Sequence, residues 1–207
     1  MNSEMLVHAV DDDPRFLAAL ARSLRGNGLA VLTFGSGEEL LAELTPDQPG
    51  CIVTDLRMPG MDGLELFGRL KGAGIRLPVI FITGHGIARH AVAALKGGAV
   101  DFLEKPFTEQ ILLDSVHQAL ERNAAEREVI AERVAVQQRF ENLTARERTV
   151  FALVVSSLHN KDIARELRIS PRTVEHHREH LMLKMQARSM AELVTMALLC
   201  GVRDLHL

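Results

Sequence analysis

The first 122 residues switch repeatedly between two hydrophobic periodicities, and this alternation limits the possible folds more than any other feature. Short apolar runs of strand character stand at Met5–Val10, Ala30–Phe34, Cys51–Asp55, Leu77–Thr83 and Val100–Glu104. Between them apolar residues recur at helical spacing: Phe16, Leu17, Leu20 and Leu24, then Leu40, Leu41 and Leu44, then Leu64, Phe67 and Leu70. Val92 and Leu95 continue the pattern, and Ile111, Leu112, Val116 and Leu120 close it. Five βα units in succession predict a five-stranded parallel, doubly wound α/β sheet covered by helices on both faces. In such folds chemistry gathers beyond the carboxyl ends of the strands.

The rest of the chain reads as helix alone. From Thr108 to Arg139 there is no Gly and no Pro, which predicts a helix leaving the first domain, with residues 123–141 as a linker. Its heptad positions (Leu113, Val116, Leu120, Asn123, Arg127, Ile130, Val134, Gln137) are polar in the middle, so a solvated spacer is expected rather than a zipper. Residues 142–207 carry two capping boxes, Thr144-x-x-Glu147 and Ser189-x-x-Glu192. Asn160 is expected to cap a short helix ending near Leu167, and Ser170-Pro171 opens a longer one running to about Met185. Four short helices, with Arg168-Ile169-Ser170 as a tight turn, predict an all-α helix-turn-helix domain.

Charge separates the same regions. The net charge of −3 hides 11 basic against 16 acidic residues over 1–122, and 10 against 8 over 141–207. Two domains with different partners follow. The longest apolar run, Leu193–Cys200, is too short to cross a bilayer. The N-terminus lacks the pattern of a signal peptide, and Cys51 and Cys200 are too few for a disulfide framework. A cytoplasmic protein without membrane partners is expected.

The predicted topology brings Asp11-Asp12-Asp13, Asp55, Thr83 and Lys105-Pro106 to one sheet edge. Asp13-Pro14 also reads as the cap and first position of a helix, so Asp13 is given to structure. Crowded carboxylates call for a cation, and oxygen-only ligands suit Mg²⁺. A carboxylate beside Mg²⁺ can attack a phosphoryl donor, after which a hydroxyl and an ammonium can bind the transferred oxygens.

On Val10-Asp11-Asp12, Thr54-Asp55-Leu56-Arg57-Met58-Pro59-Gly60-Met61-Asp62-Gly63, Ile82-Thr83-Gly84-His85-Gly86 and Lys105-Pro106-Phe107, residues 4–121 resemble the receiver domain of two-component response regulators. The resemblance implies a flavodoxin-like fold and Asp55 as phosphoacceptor. It implies Mg²⁺ held by Asp11, Asp12, Asp55 and the Arg57 carbonyl, and Thr83, Phe102 and Lys105 as switch residues. The wording is most similar to the FixJ branch, from which Ile87 and His90 depart.

In the helix from Pro171, Val174, Leu181 and Met185 project to one side, while Arg172, His176, Glu179 and Leu183 project to the other. The cations Lys161, Arg165, Arg178, Lys184 and Arg188 adjoin it as candidate phosphate ligands. On Leu143–Glu147, Asn160–Ala164, Ser170–Arg178 and Lys184-Met185, residues 142–200 are similar to the LuxR/NarL-type DNA-binding domain. That likeness implies a recognition helix over 171–185. The expected DNA-contacting set is Lys161, Arg172, Thr173, Glu175, His176, Arg178, Glu179 and Lys184. Ser189, Leu193 and Ala197 are expected to form a dimer surface on the last helix.

The expected function is a phosphorylation-activated transcriptional regulator rather than an enzyme. Its expected partners are a sensor histidine kinase, promoter DNA, a second copy on phosphorylation and RNA polymerase. A second reading is a haloacid-dehalogenase-like phosphatase, suggested by Asp11-x-Asp13, Thr83 and Lys105. It requires another acidic pair on a later strand, where this sequence turns helical. A third is a DNA-binding regulator independent of phosphorylation. The small-molecule sensors with this DNA-binding domain lean on Trp and Tyr, and this chain has neither.

Overall fold

The structure is a computed structural model that describes residues 6–84, 101–156 and 158–202. The helix expected around Val92 and Leu95 lies outside the described residues, as do Met5, Val100, Ile87 and His90. By backbone contacts the chain divides into two compact units, Met1–Arg127 and Glu128–Leu207.

In the first unit the order is β1 (Leu6–Val10), α1 (Pro14–Gly26), β2 (Ala30–Phe34), α2 (Gly37–Glu43), β3 (Cys51–Asp55), α3 (Gly63–Gly72), β4 (Val79–Thr83) and β5 (Asp101–Glu104). The strands lie in the order β2-β1-β3-β4-β5, every pair parallel. Because the strands are covered on both sides, alternate residues feed two separate cores. Ala9, Val53, Ile80 and Ile82 pack with Leu20 and Leu24 of α1 and with Val116 and Leu120. Val10, Ile52, Val79 and Phe81 pack with Leu40 of α2 and with Leu66 and Leu70 of α3. β4 begins at Val79 rather than at the expected Leu77, because Pro78 accepts from the Ile52 N–H and has none of its own to donate.

α4 spans Glu109–Glu141, 33 residues. Thr108 precedes it, its hydroxyl accepting from the Ile111 N–H at 3.4 Å. The split at Arg127 and Glu128 falls inside this helix. Asn123, which the sequence placed at a solvated linker position, is buried, and its Oδ1 accepts from the Gly50 N–H at 3.0 Å. Val129, Ile130 and Val134 are exposed.

The second unit adds α5 (Ala145–Val155), α6 (Asn160–Leu167), α7 (Pro171–Met185) and α8 (Met190–Leu199). Its core gathers Phe151, Ile163, Val174, Leu181, Met185 and Leu193, with Val136 of α4. Ser170 caps α7, accepting from the Thr173 N–H, and Pro171 takes the first helical position. Arg168 and Gln186, with φ of 53° and 56°, end α6 and α7 in the left-handed region. Asn160 is not the expected cap. His159 holds that position without a side-chain bond, and the Asn160 Oδ1 accepts from Arg178 instead.

The capping box at Thr144 closes in both directions: the hydroxyl accepts from the Glu147 N–H, and the Glu147 carboxylate accepts from the Thr144 N–H. Lys184 adds an ion pair to the same carboxylate at 2.8 Å. Burial pushes the Glu147 carboxyl up, but Lys184 and the Thr144 donors outweigh it and hold it down at about 2, against an ordinary 4.5. A depressed carboxyl stabilises the fold above its unfolded pKa, and that stability is lost as pH falls through the folded one. Glu147→Gln should therefore destabilise this unit by about 1–2 kcal/mol at neutral pH, discounted because the Lys184 side chain keeps 42% of its surface in water. Urea titrations from pH 6 to pH 2 check the sign, because the gap between variant and native chain should close on acidification.

Candidate functional site

β1 and β3 are neighbours in the sheet, so their carboxyl ends deliver Asp11 and Asp55 side by side. Asp11 is 3% exposed, and its Oδ1 accepts from the Asp13 N–H at 2.8 Å. Asp55 is half-buried, and its Oδ1 accepts from the Arg57 N–H at 2.8 Å. β5 ends at Glu104, and the next residue reaches back: Lys105 Nζ lies 2.8 Å from Asp55 Oδ2 and 3.5 Å from Asp11 Oδ2. The Lys105 N–H is itself tied to the Thr83 carbonyl at 2.7 Å. The Phe16 ring of α1 covers the ammonium, with Nζ 3.7 Å from the ring centroid.

Gly63 opens α3 directly behind this site. A Cβ there would stand 2.5 Å from the Asp55 carbonyl oxygen, so only glycine lets the helix start so close to β3. Asp13 serves as the cap of α1, its Oδ1 accepting from the Arg15 and Phe16 N–H groups. Asp12 is left exposed at the mouth of the site. Thr83 is buried, with its hydroxyl donating to the Gly84 carbonyl at 3.0 Å rather than to Asp55. Phe102 stacks on Phe81, its partner across the β4–β5 ladder, with centroids 4.8 Å apart.

Burial pushes the Asp11 carboxyl above its ordinary pKa, opposed by the Asp13 N–H and the Lys105 ammonium. A nearly dry carboxylate and a second one beside it make an oxygen-only donor set open to solvent on one side. Among the described residues no three His, Cys, Asp or Glu side chains form a closed metal cage. The open set fits a hard cation that keeps part of its water, as Mg²⁺ does.

In the second unit α7 turns Arg172, Glu175, His176, Glu179 and Leu183 outward, Leu183 being 75% exposed. The His176 and His180 rings stand on adjacent turns with centroids 4.2 Å apart. Lys161 of α6 is exposed, whereas Thr173 is half-buried beside the Ser170 hydroxyl.

Two expected DNA ligands are occupied within the domain. Arg178 donates to Asn160 Oδ1 at 2.9 Å and lies 3.3 Å from the Met190 sulfur, bracing α7 against α6 and α8. Lys184 is held by Glu147. Both charges have partners that one-dimensional spacing does not reveal. The expected dimer surface is also corrected. Leu193 and Ala197 are 0% and 2% exposed in the unit's own core, and Ser189 caps α8. The exposed face of α8 is Val194 and Leu198, with Met190 at its edge beside Arg178. Apolar residues ring this helix, so its sequence does not distinguish the inner side from the outer one. Sequence reading also missed the contact of Phe16 with Lys105, since an aromatic at helical spacing looks like any core residue.

Residues 7–117 match the response regulator receiver domain, and residues 141–197 match the luxR family of bacterial regulatory proteins. The chain belongs to the response regulators, in the group that joins a receiver domain to a LuxR-type helix-turn-helix, and is a FixJ-like transcriptional regulator. It is similar to Nodulation protein W of Bradyrhizobium diazoefficiens, 42% identical over 205 residues, which covers 99% of this chain and 90% of that one. It is also similar to the transcriptional regulatory protein FixJ of Azorhizobium caulinodans, 46% identical over 202 residues, 98% of this chain and 96% of that one. Among solved structures it resembles the response regulator StyR, with a TM-score of 0.84 at 42% identity over 93% of this chain and 97% of that one. Full-length FixJ from B. japonicum gives a TM-score of 0.57 at 38% identity over 98% and 100%. No described helix is long and apolar enough to cross a membrane.

Proposed function

We propose that Asp55 accepts a phosphoryl group from the phosphohistidine of a sensor kinase, and that the modified chain acts on promoter DNA in the cytoplasm. One observation carries this reading: two neighbouring strands present Asp11 and Asp55 together, with Lys105 Nζ spanning both carboxylates. In the transfer a carboxylate oxygen of Asp55 forms a bond to phosphorus, the P–N bond breaks, and the leaving imidazole takes up a proton. Asp11, Asp12, Asp55 and the Arg57 carbonyl would hold Mg²⁺. When bound, that ion supplies neutralisation of the donor oxygens. Lys105 is already placed to follow a charge from Asp55 to the phosphoryl oxygens, and the Thr83 hydroxyl reaches them only by leaving the Gly84 carbonyl. Phe102 then follows Thr83 inward.

Residues 1–127 act as receiver, 128–141 as linker helix and 142–207 as the DNA-binding domain. On DNA, Arg172, His176, Glu179 and Leu183 are offered to base edges, with Lys161 toward phosphate. The two acids Glu175 and Glu179 weaken a single recognition helix, which favours a dimer reading half-sites roughly 10 base pairs apart. Val194 and Leu198, with Met190 at their edge, offer the apolar surface for it, and the bound dimer acts on RNA polymerase.

Sedimentation with and without beryllofluoride, paired with operator titration, tests the reading. The native chain should dimerise and bind more tightly when activated. Thr83→Ala should take up phosphoryl groups yet gain little affinity. Normal activation of that variant, or tight operator binding by an activated monomer, would overturn the coupling.

A further inference from the structure

The contact between Phe16 and Lys105 is not explained by core packing alone. Phe16 sits at the third position of α1, where Asp13 and Pro14 fix the start of the helix and the Asp13 Oδ1 accepts from the Phe16 N–H at 3.4 Å. The ring is partly buried among the residues packed on the first core. Lys105 is anchored at its own backbone by the Thr83 carbonyl. Its side chain keeps 31% of its surface in water. The ammonium is thus caught between two carboxylates and the face of one ring. The ring binds neither a metal ion nor a phosphoryl group, so phosphorylation of Asp55 leaves this contact chemically unchanged.

From the 3.7 Å approach of Lys105 Nζ to the ring centroid, we infer that Phe16 is a positioning residue for phosphoryl transfer, holding the ammonium over the reacting carboxylate by a cation–π contact. The inference rests on Asp55 as the phosphoacceptor. An ammonium whose direction the ring helps to fix meets the transferring oxygens with fewer rotamers to search. A leucine of similar bulk fills the same space and loses the electrostatic hold, whereas tyrosine keeps it.

The test uses the full chain, acetyl phosphate and Mg²⁺, with phosphorylation followed by intact mass. Phe16→Leu should slow the reaction roughly 2- to 30-fold, and Phe16→Tyr should stay near the native rate. In a Lys105→Ala background Phe16→Leu should have no further effect, because its influence passes through the ammonium. A packing role would slow both backgrounds alike and so overturn the inference. A second measurement needs no Phe16 variant. In the native chain labelled at lysine, the Lys105 ε-methylene protons should be shifted upfield by the ring current, assigned by their loss in Lys105→Arg. Unshifted protons would also overturn it. A native chain that takes up no phosphoryl group, or takes it up elsewhere than Asp55, would instead refute the reading of the site.

Discussion

Asp55→Asn should acquire no phosphoryl adduct from a small phosphodonor under conditions in which the native chain acquires one. An amide oxygen carries no charge with which to attack phosphorus, while asparagine keeps the shape of the side chain and can still accept from the Arg57 N–H. Lys105 loses one of its two carboxylates but retains Asp11, so the fold should survive the change. The expected result is therefore complete loss of the adduct with an unchanged melting temperature. Removing Mg²⁺ from the native chain should have the same chemical effect. An adduct persisting in the variant would show that another residue is the acceptor, and beryllofluoride should then still produce dimers of it.

The largest structural loss should come from Phe151→Ala. Phe151 is fully buried at the centre of the second unit and packs against Phe140, with ring centroids 5.4 Å apart. Truncation of such a ring costs about 3–5 kcal/mol, through lost burial and the cavity left behind. Domains of this size are commonly stable by only about 5–15 kcal/mol. Calorimetry should show the transition of the second unit moved down by many degrees while that of the first stays in place. Operator binding should fail at temperatures where phosphorylation of Asp55 is still normal.

The alternation of periodicities was enough to foresee the sheet, because a strand buried on both faces cannot hide its apolar run. The placement of the edge residues was legible for a related reason: once strand ends are known, topology alone brings Asp11, Asp55, Thr83 and Lys105 to neighbouring strand ends. Other features depend on partners distant in sequence. His8 would not be expected in a core strand, yet it lies buried against Phe34, with burial lowering its pKa and its Nδ1 near the Cys51 carbonyl. Arg178 and Lys184 look like surface cations until Asn160 and Glu147 are folded beside them. Leu193 and Val194 are adjacent apolar residues, and only packing decides that the first is enclosed and the second open.

The bond between Asn123 and Gly50 bears on where the chain can be divided. A receiver fragment ended at residue 122, where the sequence pattern alone would place the cut, removes the acceptor and leaves the buried Gly50 N–H unpaired, at a cost of about 1–3 kcal/mol. A fragment carried through Arg127 retains that acceptor and the whole of the first compact unit. The cut belongs five residues further on.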